Sequence, residues 1–328
     1  MRVLFIGGTG VISSACSEQT IERGVELFVL NRGKTVRELP SRAKLLKANA
    51  REFHSLKNAV EPYSFDAVVD WIAFTPEHIE MDYEVFQFKT RHFIFISSAS
   101  AYQTQPATLP VTEETPLDNP YWQYSRDKIA CEERLIQLHY ERGFPVTIVR
   151  PSHTYDKTML PCRGGWTTID RMRRGQPVII HGDGTSIWTL THHQDFAKAF
   201  VRLLGRPQAI GEAFHITSDE WLTWTQIYEL LAEAAGAELN PVYIPSTLIN
   251  AYDSELGAGL LGDKMHSMMF DNEKIKKLVP DFTCDIPFAR GAKEIIDWYD
   301  ADATRQIINP EYNRITDRIL SAYENAWP

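Results

Sequence analysis

Four apolar residues, Val3-Leu4-Phe5-Ile6, run directly into Gly7-Gly8-Thr9-Gly10-Val11-Ile12-Ser13, and the chain then reads as a helix from Ser14 to Arg23. A short buried strand, a glycine turn and a helix, in that order, form the opening of a dinucleotide-binding βαβ unit. Gly7 permits the tight turn, and Gly10 lets the backbone approach a pyrophosphate at the helix N-terminus. Ser13 stands where a third glycine is usual, as a small residue between helix and strand. Without a ligand the same residues are only a tight strand–helix turn. Their place after the first strand favours a cofactor held along Gly7, Thr9, Gly10, Val11 and Ile12.

Further apolar runs follow at Leu27 to Leu30, Ala67 to Val69, Phe93 to Ile96 and Val146 to Val149, with helical stretches between them. Runs this short, bounded by turns, fit fully buried parallel strands. Their alternation with helices predicts an α/β fold, a doubly wound parallel Rossmann sheet with a smaller C-terminal substrate domain. The expected division is residues 1–180 for the Rossmann domain, with 186–218 returning to it, and 181–328 for the substrate domain. In the second half, helices are expected near Gln194 to Leu204, Thr225 to Ala235, Ala289 to Tyr299 and Tyr312 to Ala326, with few clear strands between Pro241 and Pro287.

With 44% hydrophobic and 23% charged residues the 328-residue chain is an ordinary globular one, large enough to bury a core. A net charge of −9 repels phosphate backbones, which speaks against nucleic acid as a partner. Cys16, Cys131, Cys162 and Cys284 form no C-x-x-C pair, so neither a zinc site nor a disulfide framework is expected. No apolar run reaches the length of a membrane helix or of a signal peptide, and the expected location is the cytoplasm.

Tyr124-Ser125-Arg126-Asp127-Lys128 places a phenol and an ammonium four residues apart, on one helix face. A lysine charge, with that of an oxidised nicotinamide, is expected to pull the tyrosine pKa down, so that the phenol exchanges a proton with a substrate hydroxyl. Ser98 ends a buried strand upstream, where ligands sit in open α/β sheets, and would orient the reacting oxygen. Ser97 and Ser100 are alternatives to it. At the end of the second strand, Asn31-Arg32 replaces the usual acidic residue. Loss of the carboxylate and gain of Arg32 favour NADP over NAD, although Arg32 could equally stack on adenine or face solvent.

These motifs together resemble the extended or atypical short-chain dehydrogenase/reductases, the NAD-dependent epimerase/dehydratase group. The resemblance rests on Gly7-Gly8-Thr9-Gly10, on Ile96-Ser97-Ser98-Ala99-Ser100-Ala101-Tyr102, on Tyr124 and Lys128, on Arg150-Pro151-Ser152-His153-Thr154-Tyr155 and on Gly182-Asp183-Gly184. Leu30-Asn31-Arg32-Gly33 and Trp188-Thr189-Leu190-Thr191-His192 also look like the subgroup related to chloroplast stem-loop RNA-binding proteins. The resemblance implies that Ser98, Tyr124 and Lys128 are catalytic. It puts Arg32 near the adenosine ribose, Asn49-Ala50 near adenine, Ile72-Ala73 along the cofactor and Pro151 to His153 beside the nicotinamide. It further implies epimerase or dehydrogenase/reductase chemistry on a sugar-like small molecule, and a homodimer through the helix bearing Tyr124.

Two departures narrow the chemistry. Ala99-Ser100 follow Ser98 where 4,6-dehydratases carry Asp-Glu, so elimination of water lacks its acid and base. Trp188 stands where nucleotide-sugar epimerases usually have a diphosphate-gripping arginine. Substrate contacts are expected from Ser100, His153 and Trp188, with a satisfied buried histidine and a plain core tryptophan as the alternatives. His192-His193, being adjacent, point to opposite faces of a strand, and no metal is expected. Arg171, Arg173 and Arg174 read as a solvated helix end, and Trp221, Trp224, Trp298 and Trp327 as packing anchors. The rival function is a cofactor-sensing or RNA-binding protein that reuses the fold.

Overall fold

A computed structural model describes residues 1–34 and 37–326, so Trp327 lies outside the described residues. The first apolar runs form β1 (Arg2–Ile6) and β2 (Glu26–Asn31), joined through α1 (Val11–Glu22). An edge strand, β3 (Lys44–Lys47), and α2 (Phe53–Val60) precede β4 (Ala67–Asp70), α3 (Pro76–Phe86) and β5 (Phe93–Ile96). The long α4 (Gln123–Arg142) then leads to β6 (Val146–Pro151) and β7 (His153–Tyr155). The second half contains α5 (Trp166–Arg173), β8 (Val178–His181), β9 (Ile187–Trp188), β10 (Leu190–His192), α6 (His193–Phe200) and β11 (Ala213–Ile216). It ends with β12 (Leu222–Thr223), α7 (Trp224–Ala234), β13 (Pro241–Ile244), α8 (Ser246–Tyr252), α9 (Ser254–Gly259), α10 (Glu273–Leu278), α11 (Phe288–Asp300) and α12 (Pro310–Glu324).

Among the described residues, seven strands form one sheet in the order β11-β6-β5-β4-β1-β2-β3, and every pair in it is parallel. This is a doubly wound Rossmann sheet. Alternation explains why both faces are apolar. Val3 and Phe5 pack with Cys16, Phe196 and Phe200, whereas Leu4 and Ile6 pack with Leu56, Phe86 and Leu135. A separate core around Trp166, Ile180, Trp188, Trp224, Leu231 and Phe288 fills the C-terminal layer, where β8 and β13 pair in parallel.

Several expectations need correcting. Of the Arg171–Arg174 stretch, Arg173 and Arg174 are exposed as a solvated helix end would be, and Arg171 is not. Arg171 is buried, with its Nη1 2.8 Å from Asp317 and its Nε donating to the Pro177 carbonyl, and Arg173 pairs with Asp300 at 2.6 Å. These arginines bind the terminal helices to α5. Trp221 is exposed rather than an anchor, whereas Trp224 is buried, and Trp298 lies under the Arg305 guanidinium at 4.2 Å. His192 pairs with Glu294 at 3.2 Å and His193 turns to the Val11 carbonyl, so the two rings have separate structural duties.

Candidate active site

Five strand ends supply the site. Gly7 follows β1, Asn31 closes β2, Asp70 closes β4, Ser97-Ser98 follow β5 and Pro151 closes β6, so their loops converge at the C-terminal edge of the sheet, where the strand order reverses. Two cavities open there. One, of about 670 Å³, is walled by Gly7, Thr9, Gly10, Asn31, Arg32, Asn49, Ala50 and Ile72. The other, of about 840 Å³, is walled by Ile12, Ser98, Ser100, Tyr124, Lys128, Pro151, His153 and Trp188. Phe74 stands in both walls, so the two cavities adjoin. Val11 and Ala73 line neither; Ala73 is buried, with its carbonyl accepting from Lys128, and Val11 offers its carbonyl to His193.

Together the two cavities fit a dinucleotide. Gly7 has φ +89°, and a Cβ there would come within 2.7 Å of the Ile72 side chain, so only glycine fits the turn. Ser13 does more than keep helix and strand apart. Its hydroxyl accepts from the Gly10 amide at 2.7 Å and donates to the Gly7 carbonyl at 3.0 Å, locking the turn. Arg32 is exposed in the wall of the 670 Å³ cavity, as is Lys34. Asn31 and Asn49 use their side chains locally, on the Gly33 amide and on Glu52.

In the other cavity, Tyr124 and Lys128 rise one turn apart from α4. Lys128 lies 5.8 Å from the Tyr124 ring centre, and its ammonium donates to the carbonyls of Ala73 and Ile96, both at 2.7 Å. Tyr124 and Ser98 line the same cavity, and Ser98 pulls the Tyr124 pKa down. Behind it Ser98 and Ser100 share a hydrogen bond of 2.9 Å, and buried Ser125 donates to Ser100 at 2.7 Å. This row of hydroxyls separates the three candidate serines. Ser98 faces Tyr124, Ser100 supports Ser98, and Ser97 donates instead to Glu132 at 2.5 Å.

Without a nicotinamide the lysine does not lower the tyrosine by itself. Tyr124 is raised above the ordinary tyrosine pKa, first by burial and also by the Asp263 charge, against which Ser98 pulls it down. In the protein alone burial outweighs the neighbouring ammonium, which is directed at two carbonyls, and Tyr124 stays a neutral proton donor. Burial also lowers Lys128 to about 8. A lysine whose folded pKa lies below its unfolded value, near 10.4, is penalised while both states are charged and released as pH rises between the two values. Urea unfolding of wild type and Lys128→Met should therefore differ in pH response. Relative to the variant, wild type gains about 3 kcal/mol between pH ~8 and ~10.5, and a constant difference would refute this titration.

Residues without sequence motifs complete the site. Buried Asn119 donates to the Ser100 carbonyl at 2.9 Å and to the Gly262 carbonyl at 2.6 Å, while its oxygen accepts from the Trp122 amide at 3.1 Å. It thereby fixes the start of α4 against the Ser98 loop and the far wall. His153 is held neutral, at about 3, by burial and then by Lys264 and Arg163. Its Nδ1 accepts from the Trp188 indole at 3.4 Å, so its neutral form carries the proton on Nε2. In the protein alone the ring is therefore neutral. Trp188 is buried in the cavity wall.

Comparison with known proteins agrees with this geometry. The chain is 27% identical over 249 residues to a chloroplast stem-loop binding protein of 41 kDa from Arabidopsis thaliana, covering 72% of this chain and 63% of that protein, so it spans less than two thirds of that relative. It is 26% identical over 288 residues to 2'-dehydrokanamycin reductase of Streptomyces kanamyceticus, covering 86% and 80% of the two chains. An epimerase structure from Methanothermobacter thermautotrophicus superposes with a TM-score of 0.75 over 93% of this chain and 94% of its own, at 18% identity, a likeness of fold. Residues 3–217 match the NAD dependent epimerase/dehydratase family. With that match spanning the glycine turn, Ser98, Tyr124, Lys128 and the sheet that carries them, the chain belongs to the NAD-dependent epimerase/dehydratase family.

Proposed function

We propose that this protein is an NAD(P)-dependent epimerase or dehydrogenase/reductase acting on a secondary alcohol or ketone of a sugar-like substrate. The observation that carries the reading is the convergence of Tyr124, Ser98 and Lys128 on one cavity that adjoins the cavity at the glycine turn. A bound nicotinamide dinucleotide supplies the hydride donor or acceptor. Tyr124 delivers the proton to the carbonyl oxygen of a ketone, or removes it from the alcohol in the reverse direction. Ser98 orients that oxygen, and the Ser100–Ser125 row keeps Ser98 in place. Lys128 can leave the Ala73 and Ile96 carbonyls to hold a ribose hydroxyl. The 2'-dehydrokanamycin reductase relative supports ketone reduction on a sugar ring. Incubating the purified protein with NADP or NAD and a sugar panel, and following reduced nicotinamide and product stereochemistry, separates epimerase from dehydrogenase. Absence of turnover throughout would count against both.

The cofactor is NADP in this reading, because Arg32 and Lys34 line the cavity that would take the adenosine and Asn31 replaces a carboxylate. Arg32→Ala should weaken NADPH binding about tenfold while changing NADH binding little; equal losses for both would contradict the assignment. Of residues 1–180 and 186–218, the part that builds the seven-stranded sheet acts as the cofactor domain, whereas Trp166, Ile180 and Trp188 join the C-terminal layer that shapes the substrate cavity. A homodimer through α4 is supported by exposed Ile136 and Tyr140, one turn apart on that helix, and by exposed Phe88 just after α3. Sedimentation of wild type and Tyr140→Glu tests it. Likeness to the chloroplast protein favours a second reading, RNA binding, which salt-dependent binding unaffected by Tyr124→Phe would establish.

A further inference from the structure

The loop Cys162-Arg163-Gly164-Gly165 has no part in the chemistry above, yet it is built with unusual constraint. Gly164 and Gly165 have φ +75° and +54°, and a Cβ on Gly164 would fall within 2.1 Å of the Tyr312 ring. Two consecutive left-handed residues under an aromatic cover turn the chain so that Arg163 enters the 840 Å³ cavity. There its Nη2 donates to the Leu256 carbonyl at 2.5 Å, and its Nε is buried with no hydrogen-bond partner.

What distinguishes Arg163 is its lack of a counter-ion. Arg37, Arg51, Arg150 and Arg171 are partly or fully buried, and each meets a carboxylate. Arg163 forms no ion pair among the described residues. A guanidinium taken from water without a carboxylate is costly, and an apolar residue of similar size would fit the wall better. Lys264 adds a second positive charge to the same cavity, 5.6 Å from the Trp122 ring centre and 5.5 Å from that of Trp188. Its position is fixed by its own carbonyl, which accepts from Trp224, His181 and Ser186. Asp253 and Asp263 act on Arg163 through space without an ion pair or hydrogen bond to it. Asp263 pairs with Lys264 at 2.8 Å, Asp253 accepts from the Leu256 amide at 2.9 Å, and Glu255 lies on the exposed rim. The field of Arg163 and Lys264 reaches His153, whose protonation it opposes after burial.

We infer that the substrate carries an anionic group, a carboxylate or phosphate ester on the sugar-like ring, and that Arg163 receives it. The sequence has Trp188 where nucleotide-sugar enzymes have a diphosphate-gripping arginine; here the glycine loop brings a guanidinium into the cavity from another direction. Its Nη1 makes no hydrogen bond to the protein among the described residues and remains to donate to an oxygen of the anion. The indole faces of Trp122 and Trp188 offer the surface on which a sugar ring lies. This inference rests on the proposed sugar oxidoreductase reading.

The test is calorimetric titration of the dinucleotide-loaded protein with D-glucuronate, D-glucose 6-phosphate, D-glucose and D-glucosamine at constant ionic strength. Binding of glucuronate or the phosphate ester should be at least tenfold tighter than that of glucose and glucosamine, and which of the two prevails identifies the anion. Arg163→Met should abolish the preference while leaving dinucleotide binding and the thermal midpoint undiminished, and Arg163→Lys should retain part of it. Equal binding of charged and neutral sugars, tightest binding of glucosamine, or a preference that survives in Arg163→Met overturns the inference. A protein that binds dinucleotide and turns over neutral sugars without anion preference loses this inference alone, whereas one that binds no dinucleotide loses the functional reading as well.

Discussion

Tyr124→Phe should lower kcat by about 10²- to 10⁴-fold and leave dinucleotide affinity within about twofold. The substitution removes one hydroxyl from a ring otherwise held by Trp122, at 5.0 Å between ring centres, and by Phe74, at 6.3 Å. Those contacts keep the ring in place, and Lys128 keeps its two carbonyl partners. What disappears is the group that gives or takes the proton. Ser98 survives, but the substrate oxygen it orients no longer meets a proton donor, so Ser98→Ala in the Tyr124→Phe background should add little further loss. Steady-state kinetics with fluorescence titration of reduced cofactor separates the two effects. A variant that loses affinity and rate together would show Tyr124 to be a packing residue.

Glu132→Ala should cost about 3–5 kcal/mol of folding stability, the largest loss expected from any single truncation near the site. Glu132 and Arg150 are both buried, with Arg150 Nη2 2.6 Å and Nε 3.0 Å from the carboxylate and the guanidinium 4.8 Å from the centre of the Tyr102 ring. That carboxylate holds Arg150 above its ordinary pKa despite burial. Removing it strands a positive charge in the core and leaves the Ser97 hydroxyl without its acceptor. The pair lies directly beneath the site, since Ser97 precedes Ser98 and Arg150 precedes Pro151. Activity should therefore fall at temperatures where the variant is still folded. Arg150→Met added to Glu132→Ala should recover part of the stability, because the charge is then gone. Urea unfolding checks both; a loss below about 1 kcal/mol for the single variant would contradict the account.

How far the sequence carries depends on what kind of signal each part leaves. β1, β2, β4, β5 and β6 are buried on both faces, so they read as unbroken apolar runs. β3, Lys-Leu-Leu-Lys at the sheet edge, leaves its lysines outside and gives no such run. Ser98, Tyr124 and Lys128 are legible because a strand end and a helical i, i+4 spacing place side chains with little help from elsewhere. Asn119 and Arg163 are not, since loops set their positions and only tertiary contacts reveal their partners. The direction of the Tyr124 shift in the protein alone is not legible for a related reason: residue spacing shows a charge nearby but not how much water has been removed. The burial of Arg171 leaves no local signal either, because its partner Asp317 lies far along the chain.

Transfer of deuterium from reduced cofactor labelled at the nicotinamide carbon to a panel of ketosugars, read by mass spectrometry under single-turnover conditions, tests the central claim most directly. Wild type should deliver label to a carbinol carbon of at least one sugar, and Tyr124→Phe should do so at least about a hundredfold more slowly. Label that reaches no sugar from a protein saturated with cofactor, or that moves as fast without the Tyr124 hydroxyl, would contradict it.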